Sequence, residues 1–359
     1  MDAGALLAGG KYRIEGPIGK GGMSAVYAAR DTVLDRAVAI KLLAADARDT
    51  PDLRERMFRE ARAVAQLESD HIVRILEIGQ TDDARPFIVM ERLEGRNLLA
   101  QLSAAIRVPF PEAVHYVLQA AEGLAHAHQA GIVHRDVKPS NLFLARRANG
   151  QRVLKVLDFG IARGAVKGSI TKQGLLGTPH YMSPEQMANP RDVDPRTDVW
   201  ALGVTLFQLI SGRLPFGGAN LQELFANVFE SDAPRLAALG VEVPADLDAV
   251  IARCLVRDRD RRVASVLELA TALVPFAPPE ARALLDQITA ASAPMPPHSI
   301  SPATTRTSAL ATEVDASSSG SPLASSVGTL MAAMTAPTDV DPPVIEHVTR
   351  TDGRDDDGG

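Results

Sequence analysis

From Tyr12 to about Met90 the apolar positions mostly follow a period of two. Tyr12, Ile14 and Ile18 on one side of a glycine-rich stretch, and Val26 and Ala28 on the other, keep the spacing of paired strands. Ala37-Val38-Ala39-Ile40-Lys41-Leu42-Leu43 is a nearly unbroken apolar run with one lysine inside it, the pattern of a buried strand. The period changes at Thr50-Pro51, a capping residue followed by proline at a first helical position. On the helix this predicts, Met57, Glu60, Ala61, Val64 and Leu67 share one face, so Glu60 is a carboxylate within an apolar stripe, with Glu68 near it at the frayed end.

From about Glu91 to Phe276 the pattern is mainly helical, broken by Gly/Pro loops. A helix from Pro111 to Gln129 runs into Ala130-Gly131, and the stretch from Val199 to Ile210 reads as a buried core helix, too short to span a bilayer. Beyond Phe276 large apolar residues thin out into Ser, Thr, Ala, Pro and Asp, ending Arg354-Asp355-Asp356-Asp357-Gly358-Gly359. Such a tail does not offset its own ordering entropy and is expected to be mostly disordered, although an amphipathic piece from Pro279 to Ala291 has the pattern to dock on the folded body. No internal repeat of solenoid period occurs.

Composition narrows the picture. A chain of 359 residues, 46% apolar, can build a two-lobed globule with a sizeable core plus a tail. Its net charge of −6 argues against nucleic acid as a partner, which calls for a basic field. One cysteine, Cys254, permits no internal disulfide and no cysteine-based metal site, and fits a reducing compartment. The start has no basic region followed by a long apolar core, and no run of about 18 apolar residues occurs. The expected location is therefore the cytoplasm, with no membrane partner.

Three features carry chemistry. In Ile18-Gly19-Lys20-Gly21-Gly22-Met23-Ser24-Ala25-Val26 the glycines make a turn tight enough for backbone N–H groups to meet phosphate oxygens, although most glycine-rich hairpins are only turns. Lys41, in its apolar strand, either snorkels or meets an anion; a buried Glu60 needs a partner, and pairing the two would hold Lys41 against the α- and β-phosphates of a nucleotide. The third is His134-Arg135-Asp136-Val137-Lys138-Pro139-Ser140-Asn141, followed by Val156-Leu157-Asp158-Phe159-Gly160. Asn141 and Asp158 are hard oxygen donors of the kind magnesium takes. Asp136 is then left to accept the proton of an attacking hydroxyl, and Lys138 to neutralise charge on the transferring phosphoryl group. Each triplet alone reads as a polar turn; their order and spacing together argue against a set of unrelated turns. His71, His115, His126 and His128 lack ligand spacing and read as surface or core residues, and Trp200 as core.

These residues resemble the motif set of the eukaryotic-like (Hanks-type) protein kinases, specifically the serine/threonine kinases of bacteria, over roughly Tyr12 to Leu273. The resemblance implies an α+β, bilobal fold over 12–276: a small β-rich N-lobe (about 12–90) with one regulatory helix, a larger, mainly helical C-lobe (about 91–276), and a tail over 277–359. It makes Lys41 the strand lysine, Glu60 its helix partner, Asp136 the catalytic base beside Lys138, and Asn141 and Asp158 the ligands of magnesium, or manganese in its place. ATP would lie against Ile18, Gly19, Lys20, Gly21, Gly22, Met23, Ser24, Val26, Ala39 and Phe143. Met90 would be the gatekeeper, with the Glu91 carbonyl and the Leu93 backbone on the adenine edge. Ser24 departs from the family by replacing the third glycine, a change expected to affect nucleotide binding modestly.

Gly177-Thr178-Pro179-His180-Tyr181-Met182-Ser183-Pro184-Glu185 resembles the end of an activation segment. Glu185 would pair with Arg262, and Asp198 would brace the catalytic loop through its backbone. Lys138 and Thr178 imply serine or threonine acceptors on proteins, the chain itself included. Arg135 implies a phosphate on the activation loop, at Ser169 or Thr171 rather than at the structural Thr178. Autophosphorylation in trans would need a transient dimer; the resting oligomeric state is not written in the sequence. A nucleotide-binding scaffold without turnover is the other class, and would normally lack Lys41, Asp136 or Asp158.

Overall fold

The computed structural model describes residues 1–20, 24–43, 51–159 and 179–293, with the backbone alone at 20, 51–54, 56 and 57. Six strands form an antiparallel sheet in the order β1 (Leu6–Leu7), β2 (Tyr12–Lys20), β3 (Ser24–Asp31), β4 (Arg36–Leu43), β6 (Pro86–Glu91) and β5 (Ile75–Gln80). Alternation along each strand sorts the side chains. Tyr12, Ile14, Val38, Ile40, Phe87 and Val89 pack together on one side. On the other, Leu43 and Ile88 meet Phe58 and Ala61 of α1 (Pro51–Ala65), where Val64 is also buried. Both faces of β4 are thus covered, which is why its sequence is apolar almost throughout. Lys41 shares the parity of Ala39 and Leu43, so it lies on the α1 side. Tyr12, buried at the root of β2, donates to Glu77 on β5 at 2.6 Å, and its burial pushes the phenol up to about 12.

The larger part is helical. A short sheet of β7 (Gly95–Asn97), β8 (Leu142–Arg146) and β9 (Arg152–Val156) lies beside α2 (Leu98–Ala105) and α3 (Phe110–Gln129). After these come α4 (Pro184–Ala188), α5 (Arg196–Ser211), α6 (Leu221–Glu230), α7 (Ala245–Cys254), α8 (Val266–Leu273) and α9 (Arg282–Ser292). The predicted core helix is α5, in which nearly every residue is buried. Trp200 is fully enclosed, stacked on Phe216 with ring centroids 5.5 Å apart, and α5 ends on Gly212 at φ +72°, the left-handed conformation glycine adopts without strain.

The two parts are stitched directly. Ile72 bridges to Val156, Val73 N donates to the Val156 carbonyl (3.1 Å), and Val156 N donates to the His71 carbonyl (2.7 Å). At the link after β6 the Glu91 carboxylate pairs with Lys155 (2.8 Å) and accepts from Arg74 N (2.8 Å), so this side chain works as a splint.

The packed body starts before Tyr12, at β1, and continues past Phe276. Leu284, Ile288 and Ala291 of α9 are buried in the same core as α3, and Gln129 donates to the Ala293 carbonyl. The amphipathic spacing of Pro279 to Ala291 has its physical outlet here. The chain from 294 onward lies outside the described residues. Among the described residues no helix is long and apolar enough to cross a membrane.

Candidate active site

The loop after α3 is held from below by one carboxylate. Asp198, in the first turn of α5 and fully buried, accepts from His134 N (2.9 Å), Arg135 N (2.9 Å) and His128 Nε2 (2.7 Å). Burial alone would raise its pKa, but the hydrogen bonds from His128 and the loop outweigh it, and the net shift is downward. His128, which the sequence presented as an ordinary histidine, is therefore part of the support. Its one available signal is its place in the last turn of α3, six residues before His134.

His134 is the second anchor. Its Nδ1 accepts from Asp136 N (3.2 Å), so the proton sits on Nε2, which donates to the Leu157 carbonyl (2.9 Å). The ring also packs on Phe159, with centroids 4.6 Å apart. The imidazole thus joins the Asp136 loop to the segment carrying Asp158.

Above these anchors the charged groups converge. Lys138 Nζ (3.0 Å) and Asn141 Nδ2 (3.1 Å) both donate to Asp136 Oδ2, and Asn141 Nδ2 also reaches the Asp136 carbonyl (2.8 Å). Because the Asn141 amide donates through its nitrogen, its oxygen is left as the acceptor that could meet a cation. Leu157 N donates to the Asn141 carbonyl (2.8 Å), which sets Asn141 beside Asp158, whose side chain is 41% exposed. An amide oxygen near a partly open carboxylate is a donor set of the kind a hard divalent ion takes while keeping some of its waters.

Lys41 Nζ lies 2.7 Å from Asp158 Oδ1. The sequence points to Glu60 as the partner of this lysine; the ion pair formed here is with Asp158 instead. Asp158 sits at φ +50°, a turn directly after β9 that brings its carboxylate up to β4. Glu60 lies half-buried on α1 beside the buried Ala61.

The remaining predicted residues fall into four groups. Val26 is paired with Lys41, and Ala39 with Met90, so all four side chains lie on one face of the sheet. Ile18 is exposed near the end of β2, Gly19 opposes Val26, and Ser24 opens β3 opposite Leu43. Leu93, after β6, and Phe143, on β8, are half-buried. Lys20 is described by its backbone alone, and Gly21, Gly22, Met23, Ser169, Thr171 and Thr178 lie outside the described residues.

Glu185 and Arg262 form a bidentate pair (2.7 and 2.9 Å), with the arginine side chain 0% exposed. The carbonyls of Val256, Arg196 and Arg257 take the other donors, so all five guanidinium N–H groups are satisfied, and the Trp200 ring lies 5.0 Å away. Burial pushes the Glu185 carboxyl up, but Arg262 outweighs it and the pKa is lowered. Arg262→Leu is expected to lower stability by about 3–5 kcal/mol, because it strands a buried carboxylate. Thermal melts would check this, and a melting temperature unchanged from wild type would contradict it.

A small antiparallel sheet with one helix, set over a helical body, with the loop of Asp136 between them, defines the two-lobed kinase fold. Residues 12–273 match the protein kinase domain family. Serine/threonine-protein kinase PksC of Streptomyces coelicolor is 38% identical over 275 residues, covering 73% of this chain and 48% of that protein. PrkC of Bacillus subtilis is 37% identical over 250 residues (69% and 38%), and pkn2 of Myxococcus xanthus 38% over 276 (75% and 33%). The chain thus spans between a third and a half of the length of these relatives. Among solved structures, the kinase domain of Mycobacterium tuberculosis PknI aligns over 77% of this chain and 99% of that one, with a TM-score of 0.60 and 27% identity. The chain belongs to the protein kinase family, and the relatives it matches are bacterial proteins named serine/threonine-protein kinases.

Proposed function

We propose that this protein transfers the γ-phosphoryl group of ATP to serine or threonine hydroxyls of protein substrates, itself included. The observation that carries this reading is the convergence of Lys138 and Asn141 on one carboxylate oxygen of Asp136, with Lys41 and Asp158 paired close by. Asp136 takes the proton of the attacking hydroxyl, and Lys138 offsets charge on the phosphoryl oxygens as the bond to the leaving oxygen breaks. Lys41 holds the α- and β-phosphates, with Glu60 as the group that steadies it when Asp158 turns to the metal. Asn141 and Asp158 would hold magnesium, which supplies charge neutralisation of the phosphates when bound.

The adenine ring fits the face formed by Val26, Ala39 and Met90, closed by Phe143 from β8, with the Glu91 carbonyl and Leu93 N–H on its edge. By the family resemblance, Gly19, Lys20, Gly21, Gly22, Met23 and Ser24 would form the loop that meets the phosphates. The same resemblance would have Arg135 answer a phosphate on Thr171 or Ser169, and would give the Thr178 hydroxyl the role of linking Asp136 and Lys138; all three hydroxyl residues lie outside the described residues. The similarity to chains named serine/threonine-protein kinases supports the acceptor class.

The test is incubation with γ-labelled ATP and a generic basic protein. Label is expected on serine and threonine of both proteins, abolished by chelation of divalent ions and sharply reduced in Lys41→Ala. Label on tyrosine alone, or none with magnesium present, would defeat the proposal. Thr171→Ala combined with Ser169→Ala is expected to slow the reaction; an unchanged rate would remove these residues from the activation step.

A further inference from the structure

We propose that Gln186, which plays no part in the chemistry above, is a positioning residue whose side-chain amide fixes the peptide group carrying Asp136. The inference rests on the reading of Asp136 as the base. Gln186 lies in the first turn of α4, buried at 8% exposure, and its Nε2 donates to the Arg135 carbonyl at 2.8 Å.

The carbonyl it meets belongs to an unusual residue. Arg135 has φ +65°, the left-handed region, where a non-glycine residue costs about 1–2 kcal/mol. Such a conformation persists only where its surroundings hold it, and here they hold it on every side. The Arg135 N–H donates to Asp198 Oδ1 (2.9 Å). The next peptide group, between Arg135 and Asp136, is clamped at both ends: its oxygen by Gln186 and its N–H by His134 Nδ1 (3.2 Å). Rotation of that plane would swing the Asp136 side chain away from Lys138 and Asn141.

Two of these clamps come from α5 and from the loop itself; the third comes from α4, the helix that follows the activation segment. Gln186 is in turn held by its own N–H on Ser183 Oγ (3.4 Å) and by its neighbour Glu185, locked to Arg262. The position requires a donor of this length. Glutamate has the same shape, but when ionised it presents only acceptors to a carbonyl, and methionine has no donor to offer.

The test uses the full chain and steady-state transfer to a peptide. Gln186→Glu and Gln186→Met are each expected to lower kcat by about 10- to 100-fold, the scale of a small misplacement of a catalytic group. The KM for ATP should change by less than about twofold, since the nucleotide contacts lie elsewhere. The Gln186→Glu variant has a second signature. Burial beside a carbonyl raises its carboxyl pKa above the usual value of about 4.3, and the protonated acid is a donor again. Its kcat relative to wild type should therefore rise as pH falls from about 8.5 to about 5.5, while the ratio for Gln186→Met stays flat. If the glutamate variant does not fold, the kcat and KM of the methionine variant decide the matter. Wild-type kcat in the folded variants, or pH ratios that run parallel, would overturn the inference while leaving the role of Asp136 intact. A wild-type protein that transfers nothing would overturn the kinase reading and this inference with it.

Discussion

Asp198→Ala is expected to reduce phosphoryl transfer by at least about 100-fold and to destabilise the protein by several kcal/mol. One carboxylate satisfies two backbone N–H groups of the catalytic loop and the Nε2–H of His128, all in a fully buried setting. Truncation leaves three donors without acceptors at about 1–3 kcal/mol each, and the loop can recover partners only by moving. The strained turn at Arg135 makes that movement favourable, because release from φ +65° lowers the backbone energy. Asp198→Asn is nearly isosteric, yet it points an amide N–H at one of the loop donors and should reproduce most of the rate loss. Transfer rates and melts on the two variants check this. A wild-type rate in Asp198→Ala would show that the loop holds its shape unaided.

Much of this architecture was legible in the chain because the features are local or charge-complementary. The period-two spacings became β2 and β3, and the unbroken apolar run became β4, which is buried on both faces. The Asp198 brace and the Glu185–Arg262 pair were legible only through the resemblance to the protein kinases, and both form in the structure. Side-chain partner choice was less legible. The sequence offers Lys41 several carboxylates, and the distance to each depends on how α1 and the turn after β9 are set; that turn brings Asp158 within 2.7 Å.

The support role of His128, which reads in the sequence as a surface or core histidine, and that of Gln186 were illegible for a related reason. Each acts on a backbone or carboxylate atom far away in the sequence, through geometry that no residue type announces. The left-handed turns at Arg135 and Asp158 carry no glycine to mark them, so backbone strain at both ends of the site emerged only from the fold. At α9 the weak amphipathic signal gained meaning once α3 was seen to offer it a buried surface.

Asp136→Asn is the variant with the largest expected effect on chemistry. The amide keeps the volume and can still meet Lys138 or Asn141, but it has no lone pair basic enough to take a proton from a hydroxyl. The loss should lie at about 10²–10⁴-fold in kcat, the range of general-base removal. Nucleotide binding should persist, since Lys41, the face formed by Val26, Ala39 and Met90, and the link at Glu91 are untouched. The decisive measurement is therefore single-turnover transfer from ATP to a serine peptide, made alongside the ATP dissociation constant, for wild type and Asp136→Asn. The account predicts transfer lowered by at least about 100-fold with affinity within about threefold of wild type. Transfer by Asp136→Asn at the wild-type rate would contradict it.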